Sequence, residues 1–255
     1  MRNTCGQYNR RMRSTVLLLL ILTVAAPVTA ATDRQTRTFP WSPERVLVLE
    51  VTVGEVRILG GDRPDVEVAV QRVAPTPDGL DAIPFVVEDT PERVTVRIVQ
   101  ASGNTDPALR ADVVLRVPTS ITVERVRVVE GKLAVEKFRG SLTADVRRGP
   151  IDGTDVSGAL RLETSVGSIT LKQARLSPNG LLRLRAFSGD VRLQMPGAPA
   201  DARVMALALN GTIQSDIPLT TRDTWGPRWS EATLGKGEPV ISIDVVTGKV
   251  EIKTR

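Results

Sequence analysis

One short phrase recurs through the middle of this chain: a glycine, with apolar residues two and four positions after it. From Gly131 to Gly189 the successive glycines are separated by 9, 9, 9, 9, 13 and 9 residues. A fixed period of this kind is typical of a protein in which one small structural unit is stacked on the next. The glycines that we predict to be structural turn residues are Gly131, Gly140, Gly149, Gly158, Gly167, Gly180, Gly189, Gly211 and Gly248.

The spacing inside each copy predicts a short strand. After Gly167, the apolar residues Ile169 and Leu171 alternate with Ser168 and Thr170, which is the pattern of a strand with one buried face and one wet face. The rest of each unit makes a turn, where a residue without Cβ tolerates positive φ and lets neighbouring turns approach closely. Since no segment has helical periodicity, the sequence predicts an all-β protein.

Two all-β architectures fit this spacing. One is a β-solenoid, a β-helix-like stack in which two nine-residue units form one flattened coil. The alternative is an antiparallel β-sandwich built from a meander of the same strands. Every unit places its glycine at the same end of its strand, and Phe138, Val156 and Ala174 recur at 18-residue spacing in turns that otherwise vary. These two regularities favour the solenoid.

The N-terminal residues resemble a secretory signal. Arg10, Arg11 and Arg13 precede an apolar run over 16–26, and the segment ends Val28-Thr29-Ala30, which fits a signal-peptidase site. The run is too short to span a bilayer. We predict a signal peptide over 1–30, whether translation starts at Met1 or Met12, with cleavage near Ala30 and export to the periplasm or the exterior.

The remaining chain divides simply. Residues 31–43 are predicted to be a polar leader, and 44–255 a single repeat-containing β domain that is most regular over 120–195. The predicted mature chain has no transmembrane segment. Four of the 34 basic residues and none of the 29 acidic residues lie within 1–30, so the net charge falls from +5 to +1 on cleavage. This net charge gives no case for nucleic acid or for an anionic membrane as partner.

The predicted mature chain contains no histidine and no cysteine, because the single cysteine, Cys5, lies in the signal region. This excludes Ser-His-Asp and Cys-His catalysis and the usual zinc sites. Asp152 and Asp155 are oxygen donors that calcium accepts, but the tandem nonapeptide of calcium-binding β-rolls is absent, so we interpret them as turn residues. The sequence therefore predicts a protein that is not an enzyme and has no metal or cofactor.

Two groups of side chains are candidates for binding. Trp225 and Trp229 lie in a glycine-rich segment, where they either stack on sugars or partners or cap the open end of the core. Arg161, Arg183 and Arg192 belong to a basic set that either forms a ladder for acidic polysaccharide or is a solvated face interleaved with Glu and Asp.

The repeat also resembles a known family. Ser188-Gly189-Asp190-Val191 is echoed at Ser157-Gly158 and Thr247-Gly248, and these copies follow an early Gly-Glu-Val-Arg-Ile and precede a closing strand pair. Over about residues 44–255 this is similar to the exported bacterial proteins named putative adhesins. The resemblance implies a β-solenoid-like fold and no catalytic residues.

Together these features predict a non-enzymatic, exported cell-envelope protein with a structural or adhesive role. Its partner would be a cell-surface glycan or an envelope protein. Two alternatives remain open. One is a carbohydrate-active enzyme, such as a β-helical polysaccharide lyase that uses Arg, Lys and carboxylates. The other is an envelope sensor or assembly partner.

Overall fold

The computed structural model describes residues 30–101, 105–178, 180–222 and 228–255. Across these residues the chain forms seventeen strands and one short 3-10 helix, Pro77–Leu80, with no α-helix. The prediction of an all-β protein is confirmed. Most of the predicted signal peptide and Trp225 lie outside the described residues.

The strands alternate between apolar and polar residues as the repeat predicts. In chain order they are β1 (Ala31–Pro40), β2 (Val46–Gly61), β3 (Asp65–Ala74), β4 (Phe85–Asp89), β5 (Arg93–Ile98), β6 (Arg110–Pro118), β7 (Thr122–Phe138), β8 (Ser141–Arg148), β9 (Ile151–Val156), β10 (Ala159–Val166), β11 (Ile169–Lys172), β12 (Leu181–Ser188), β13 (Val191–Met195), β14 (Ala202–Ser215), β15 (Thr220–Arg222), β16 (Arg228–Leu234) and β17 (Val240–Thr254).

In the regular repeats, each strand pairs in parallel with the strand two places along the chain. β8 pairs with β10 and β10 with β12, while β9 pairs with β11 and β11 with β13. The register places Ser141 opposite Ala159 and Ile151 opposite Ile169, an offset of 18 residues in each case. The sandwich alternative requires consecutive strands to pair antiparallel. Over the described residues, β8 pairs in parallel with β7 and β10, and β9 pairs in parallel with β7 and β11.

Two long strands join these ladders into a closed ring. β7 pairs with β8 through its first half and with β9 through its second half, and β17 does the same with β12 and β13. The ring therefore contains eight parallel strands, β7, β8, β10, β12, β17, β13, β11 and β9. We call the side with β8, β10 and β12 the first sheet and the side with β9, β11 and β13 the second sheet.

Further strands extend both ends of the ring. β2 adds in parallel to β7, and β5 and β6 add in parallel to β2. At the other end β14 adds in parallel to β17. The outermost pairings are antiparallel: β1 with β3, β3 with β6, β4 with β5, β14 with β16, and β15 with β16.

The core lies between the two sheets. Leu160 and Leu184 point inward from the first sheet, Ile169 and Val191 from the second, and all four are at least 98% buried. The turn residues that recur at 18-residue spacing are also buried: Phe138, Val156 and Ala174 expose 2% or less of their surface. Because each inward position recurs every 18 residues, the inward side chains of paired strands lie next to one another in the core.

The chain passes from the first sheet to the second at a sharp corner occupied by glycine. Gly149 and Gly167 lie one above the other there, with φ values of +137° and +153°. A Cβ on Gly167 would lie 2.0 Å from the carbonyl oxygen of Gly149, a distance that two non-bonded atoms do not reach. The close approach of the two turns at this corner thus requires a residue without a side chain.

Two segments are more regular than the sequence indicated. The predicted leader contains β1, an edge strand in which Phe39 is buried and the other side chains are at least partly exposed. The segment 218–237 appeared irregular, yet it contributes β15 and β16. Both segments are held by backbone pairing at sheet edges, so apolar alternation reveals little of them.

Candidate functional site

The structure brings Arg161 and Arg183 together on the outer face of the first sheet. The alternation of β10 and β12 directs their neighbours Leu162 and Leu184 into the core, so the two arginines face solvent. They are Cα partners across the β10–β12 pair, where adjacent strands are about 4.8 Å apart. The residues in register on either side are Thr143 and Ser242, which continue the row with hydroxyl groups.

Neither guanidinium of this pair forms an ion pair with any described residue. A groove of about 310 Å³ runs over this part of the sheet, and its charged lining adds Asp145, Glu163 and Arg185 to the two arginines. Glu163 is 3.9 Å from Arg185. The groove therefore combines two unpaired guanidinium groups with a neighbouring row that contains carboxylates.

This arrangement is suited to a ligand with both anionic and hydroxyl groups. Guanidinium groups bind carboxylate or sulfate oxygens through paired N–H donors. Asp145 and Glu163 supply acceptors for hydroxyl donors. Two like charges side by side on a sheet also repel each other by a few tenths of a kcal/mol up to about 1 kcal/mol. An anion bound between them would remove that repulsion.

Arg192 lies apart from this pair, on the outer face of the second sheet. Its guanidinium is 3.1 Å from Asp190 and 3.4 Å from Glu251. A hydrogen bond from Lys253 is the largest cause that lowers the pKa of Glu251, and Arg192 contributes to the same shift. The three predicted arginines are therefore not one ladder: two are unpaired and adjacent, and the third is neutralised by carboxylates.

Trp229 lies on β16, directly opposite Leu207 of β14. The next residue, Ser230, is 2% exposed, and Ala232 and Leu234 pack against the core. Because side chains alternate along a strand, Trp229 points to the outer face of the first sheet, where it is partly exposed. Trp229 therefore lies on a sheet surface rather than between the two sheets. Trp225 lies outside the described residues.

The candidate calcium donors are held in ion pairs. Asp152 lies 2.9 Å from Lys132, whose pKa it raises mainly through the hydrogen bond between them. Asp155 lies 3.0 Å from Arg139. Among the described residues, no group of three or more His, Cys, Asp or Glu side chains is arranged to hold a metal ion. Nor does any described helix have the length and apolarity to cross a membrane.

Two surfaces escaped the sequence analysis. One is a cleft of about 530 Å³ at the turns opposite the glycine corner, lined by Leu176, Met195, Pro239 and their neighbours. Its signal in the sequence is the single 13-residue step in the repeat. The other is a set of exposed apolar residues beside the glycine corner, including Phe187 and Leu209. In the sequence, this surface is indicated by an apolar residue two positions before a corner glycine, as with Phe187 before Gly189.

Comparison with known proteins gives similarity in fold only. No family model and no curated protein matches the chain. A crystal structure of a putative cell adhesion protein from Clostridium sporogenes is 13% identical over 88% of this chain and 100% of that one, with a TM-score of 0.51. A putative adhesin from Bacteroides fragilis is also 13% identical, over 86% of this chain and 97% of that one, with a TM-score of 0.42. The family resemblance expected from the repeat is thus supported at the level of fold, which this chain shares with a protein named for cell adhesion.

Proposed function

We propose that this chain is an exported, non-enzymatic protein of the bacterial cell envelope that adheres to acidic glycans. The unpaired Arg161 and Arg183 on one exposed sheet face carry this proposal. Their groove spans the outer faces of three adjacent strands, β8, β10 and β12, as expected for a polysaccharide that lies across the strands. The carboxylates beside the arginines match the hydroxyl groups that a sugar presents.

The proposal includes the architecture and the location. We infer a flattened solenoid of 18-residue coils, which is supported by the parallel register between Ser141 and Ala159 and by the stacked corner glycines. We also infer export with cleavage near Ala30, to the periplasm or the exterior, on the strength of the signal-like N-terminus. A solenoid provides large flat faces, and flat faces with repeated polar rows suit extended polymers.

A glycan array with a matched set of variants tests this function. The exported protein should bind uronate-bearing or sulfated glycans in preference to neutral ones. Arg161→Glu combined with Arg183→Glu should weaken binding by at least about tenfold, since each charge-assisted contact contributes roughly 1.5–3 kcal/mol. The control is Arg192→Glu, which alters an arginine on the second sheet that is already paired with carboxylates.

The outcomes separate the proposal from its alternatives. Equal binding by the double variant and the control would exclude the arginine groove as the site. Unsaturated products released from an acidic glycan would show a polysaccharide lyase in place of an adhesin. If no glycan binds and a specific protein is instead retained from envelope extract in a manner that depends on Arg161 and Arg183, the assembly-partner hypothesis would be supported.

A further inference from the structure

Four apolar residues lie together at the glycine corner of the first sheet. Phe187 is 61% exposed, Val166 55% and Leu209 48%, and Val246 is partly exposed. Phe187, Val246 and Leu209 each stand two positions before a corner glycine. We call the set Val166, Phe187, Val246 and Leu209 the apolar corner.

The strand registers make the apolar corner continuous. Ala186 and Ser188 of β12 pair with Val245 and Thr247 of β17, so Phe187 stands opposite Val246. β14 pairs with β17 in the same way, which places Leu209 on the other side of Val246. Val166 is opposite Ser188, the residue that follows Phe187 in the sequence. Phe187, Val246 and Leu209 thus lie in one register row on three adjacent strands about 4.8 Å apart, and Val166, on the fourth strand, lies diagonally next to Phe187.

The corner is convex. In the middle of these strands exposed and buried residues alternate, but at the corner two successive residues are exposed, as with Phe187 and Ser188 on β12 and Leu209 and Asn210 on β14. Consecutive exposed residues mark an edge that water reaches from two sides. A convex apolar edge cannot enclose a small molecule, whereas it can insert into a deformable apolar phase.

Positive charge flanks the apolar corner. Arg148 of β8 is the register partner of Val166, and Arg147 precedes it. Both arginines are exposed, and neither forms an ion pair with a described residue. Lys249, also exposed and without such a pair, follows the corner on β17. Two carboxylates lie nearby. Asp190, beyond the corner, is engaged by Arg192 and by the Lys249 backbone N–H. Glu130 of β7 is the register partner of Arg148 and is partly exposed, with no ion pair between the two.

From this pattern we propose that the apolar corner docks on the surface of an anionic lipid bilayer. Phe187, Val246 and Leu209 would enter the boundary between head groups and acyl chains, and Arg147 and Arg148 would bind lipid phosphates. Interfacial binding strength scales with the apolar area inserted and with attraction between basic residues and anionic lipids. The net charge of the chain gives no hint of this, because the relevant charges are local.

The outer face beyond the corner extends the same surface. Leu207 and Trp229 are opposite each other on β14 and β16, and both are partly exposed. Tryptophan is favoured at membrane–water boundaries because its ring is apolar and its N–H is polar. Asp244 is the register partner of both Leu207 and Arg185, so its carboxylate lies beside a cation.

Vesicle sedimentation tests the proposal with synthetic lipids that carry no sugar, so its outcome is independent of the glycan hypothesis. The purified exported protein, its N-terminus established by mass spectrometry, is mixed with vesicles of equal parts phosphatidylglycerol and phosphatidylcholine, or of phosphatidylcholine alone. We expect stronger binding to the anionic vesicles, weakened by added salt. Phe187→Asp should lower the partition coefficient by at least about tenfold.

Matched variants identify the cause. Leu209→Asp should reproduce the loss, and Arg147→Glu with Arg148→Glu should abolish the preference for anionic vesicles. The control is Val86→Asp, which changes an apolar residue of β4 that is 44% exposed and lies outside the apolar corner. This variant should bind vesicles as the unchanged protein does. Unchanged melting temperatures would show that every variant is folded. Three results would overturn the proposal: no binding to either vesicle, wild-type binding by Phe187→Asp, or a dimer that Phe187→Asp dissociates, since a second copy would then occupy the corner.

Discussion

Replacing Gly149 by alanine should destabilise the fold far more than a glycine-to-alanine change usually does. Gly149 has φ of +137°, and a Cβ built on it would lie 1.6 Å from the carbonyl oxygen of Gly131 in the neighbouring turn. Thr164 donates a hydrogen bond to the Gly149 carbonyl from a fully buried hydroxyl, at 3.0 Å. The corner therefore has close contacts on both sides and little room to move.

The size of the effect follows from three contributions. Backbone strain at positive φ costs about 1–3 kcal/mol for a residue other than glycine. The clash forces a backbone shift, and overpacking of this kind costs about 1–3 kcal/mol. Alanine also restricts the unfolded chain, which offsets the loss by about 0.4–1 kcal/mol. The expected net loss is about 1–5.5 kcal/mol, or a fall in melting temperature of roughly 2–20 °C for a domain of this size.

Urea and thermal unfolding of Gly149→Ala measure this loss, with Gly197→Ala as the matched control. A Cβ at Gly197 would have no heavy atom within 4 Å, and its φ lies outside the range that favours glycine. The control should therefore be neutral or slightly stabilising. If the two variants unfold within about 0.5 kcal/mol of each other, the close stacking of the corner glycines is not what determines stability there.

Three further predictions concern the sheets. Ile169→Asp should unfold the protein or lower its free energy of unfolding by about several kcal/mol, because Ile169 is fully buried. Thr170→Asp should lower it little, because Thr170 is on the outer face. Equal melting shifts would contradict the assigned faces. Cysteines placed at the register partners Ser141 and Ala159 should be joined by a very short thiol crosslinker in folded protein. Cysteines placed at Thr143 and Asp152, which lie on opposite sheets, should not be joined. The reverse preference would refute the parallel register. The hydrogen bond from Arg72 lowers the pKa of Asp33 below its ordinary value of 3.8, so Asp33→Asn should destabilise the protein at neutral pH. The difference from wild type should shrink as the pH falls below 3.8 and vanish once the pH is below the lowered pKa of the folded protein. A difference in unfolding free energy that persists below that lowered pKa would exclude the ion pair as its cause.

The repeat alone predicts much of this fold. Glycine at fixed spacing, with apolar residues two and four positions later, is sufficient to predict an all-β chain and the inward positions such as Ile169 and Leu171. These features are readable because burial imposes a period of two on a strand, and a close turn requires glycine. The polar strand β1 was missed because an exposed edge strand needs little apolar alternation.

The candidate sites depended on information that a single sequence does not contain. The spacing of Arg161, Arg183 and Arg192 along the chain is uninformative about which two meet. Parallel pairing of β10 with β12 brings the first two together, and the second sheet holds Arg192 against Asp190 and Glu251. The apolar corner arises in the same way, from residues on four strands that only the register aligns. The sequence by itself determined which face of each strand is buried, since that is a property of neighbouring residues; the tertiary structure alone decided which exposed side chains share a surface, because strand pairing brings together residues that are far apart in the chain.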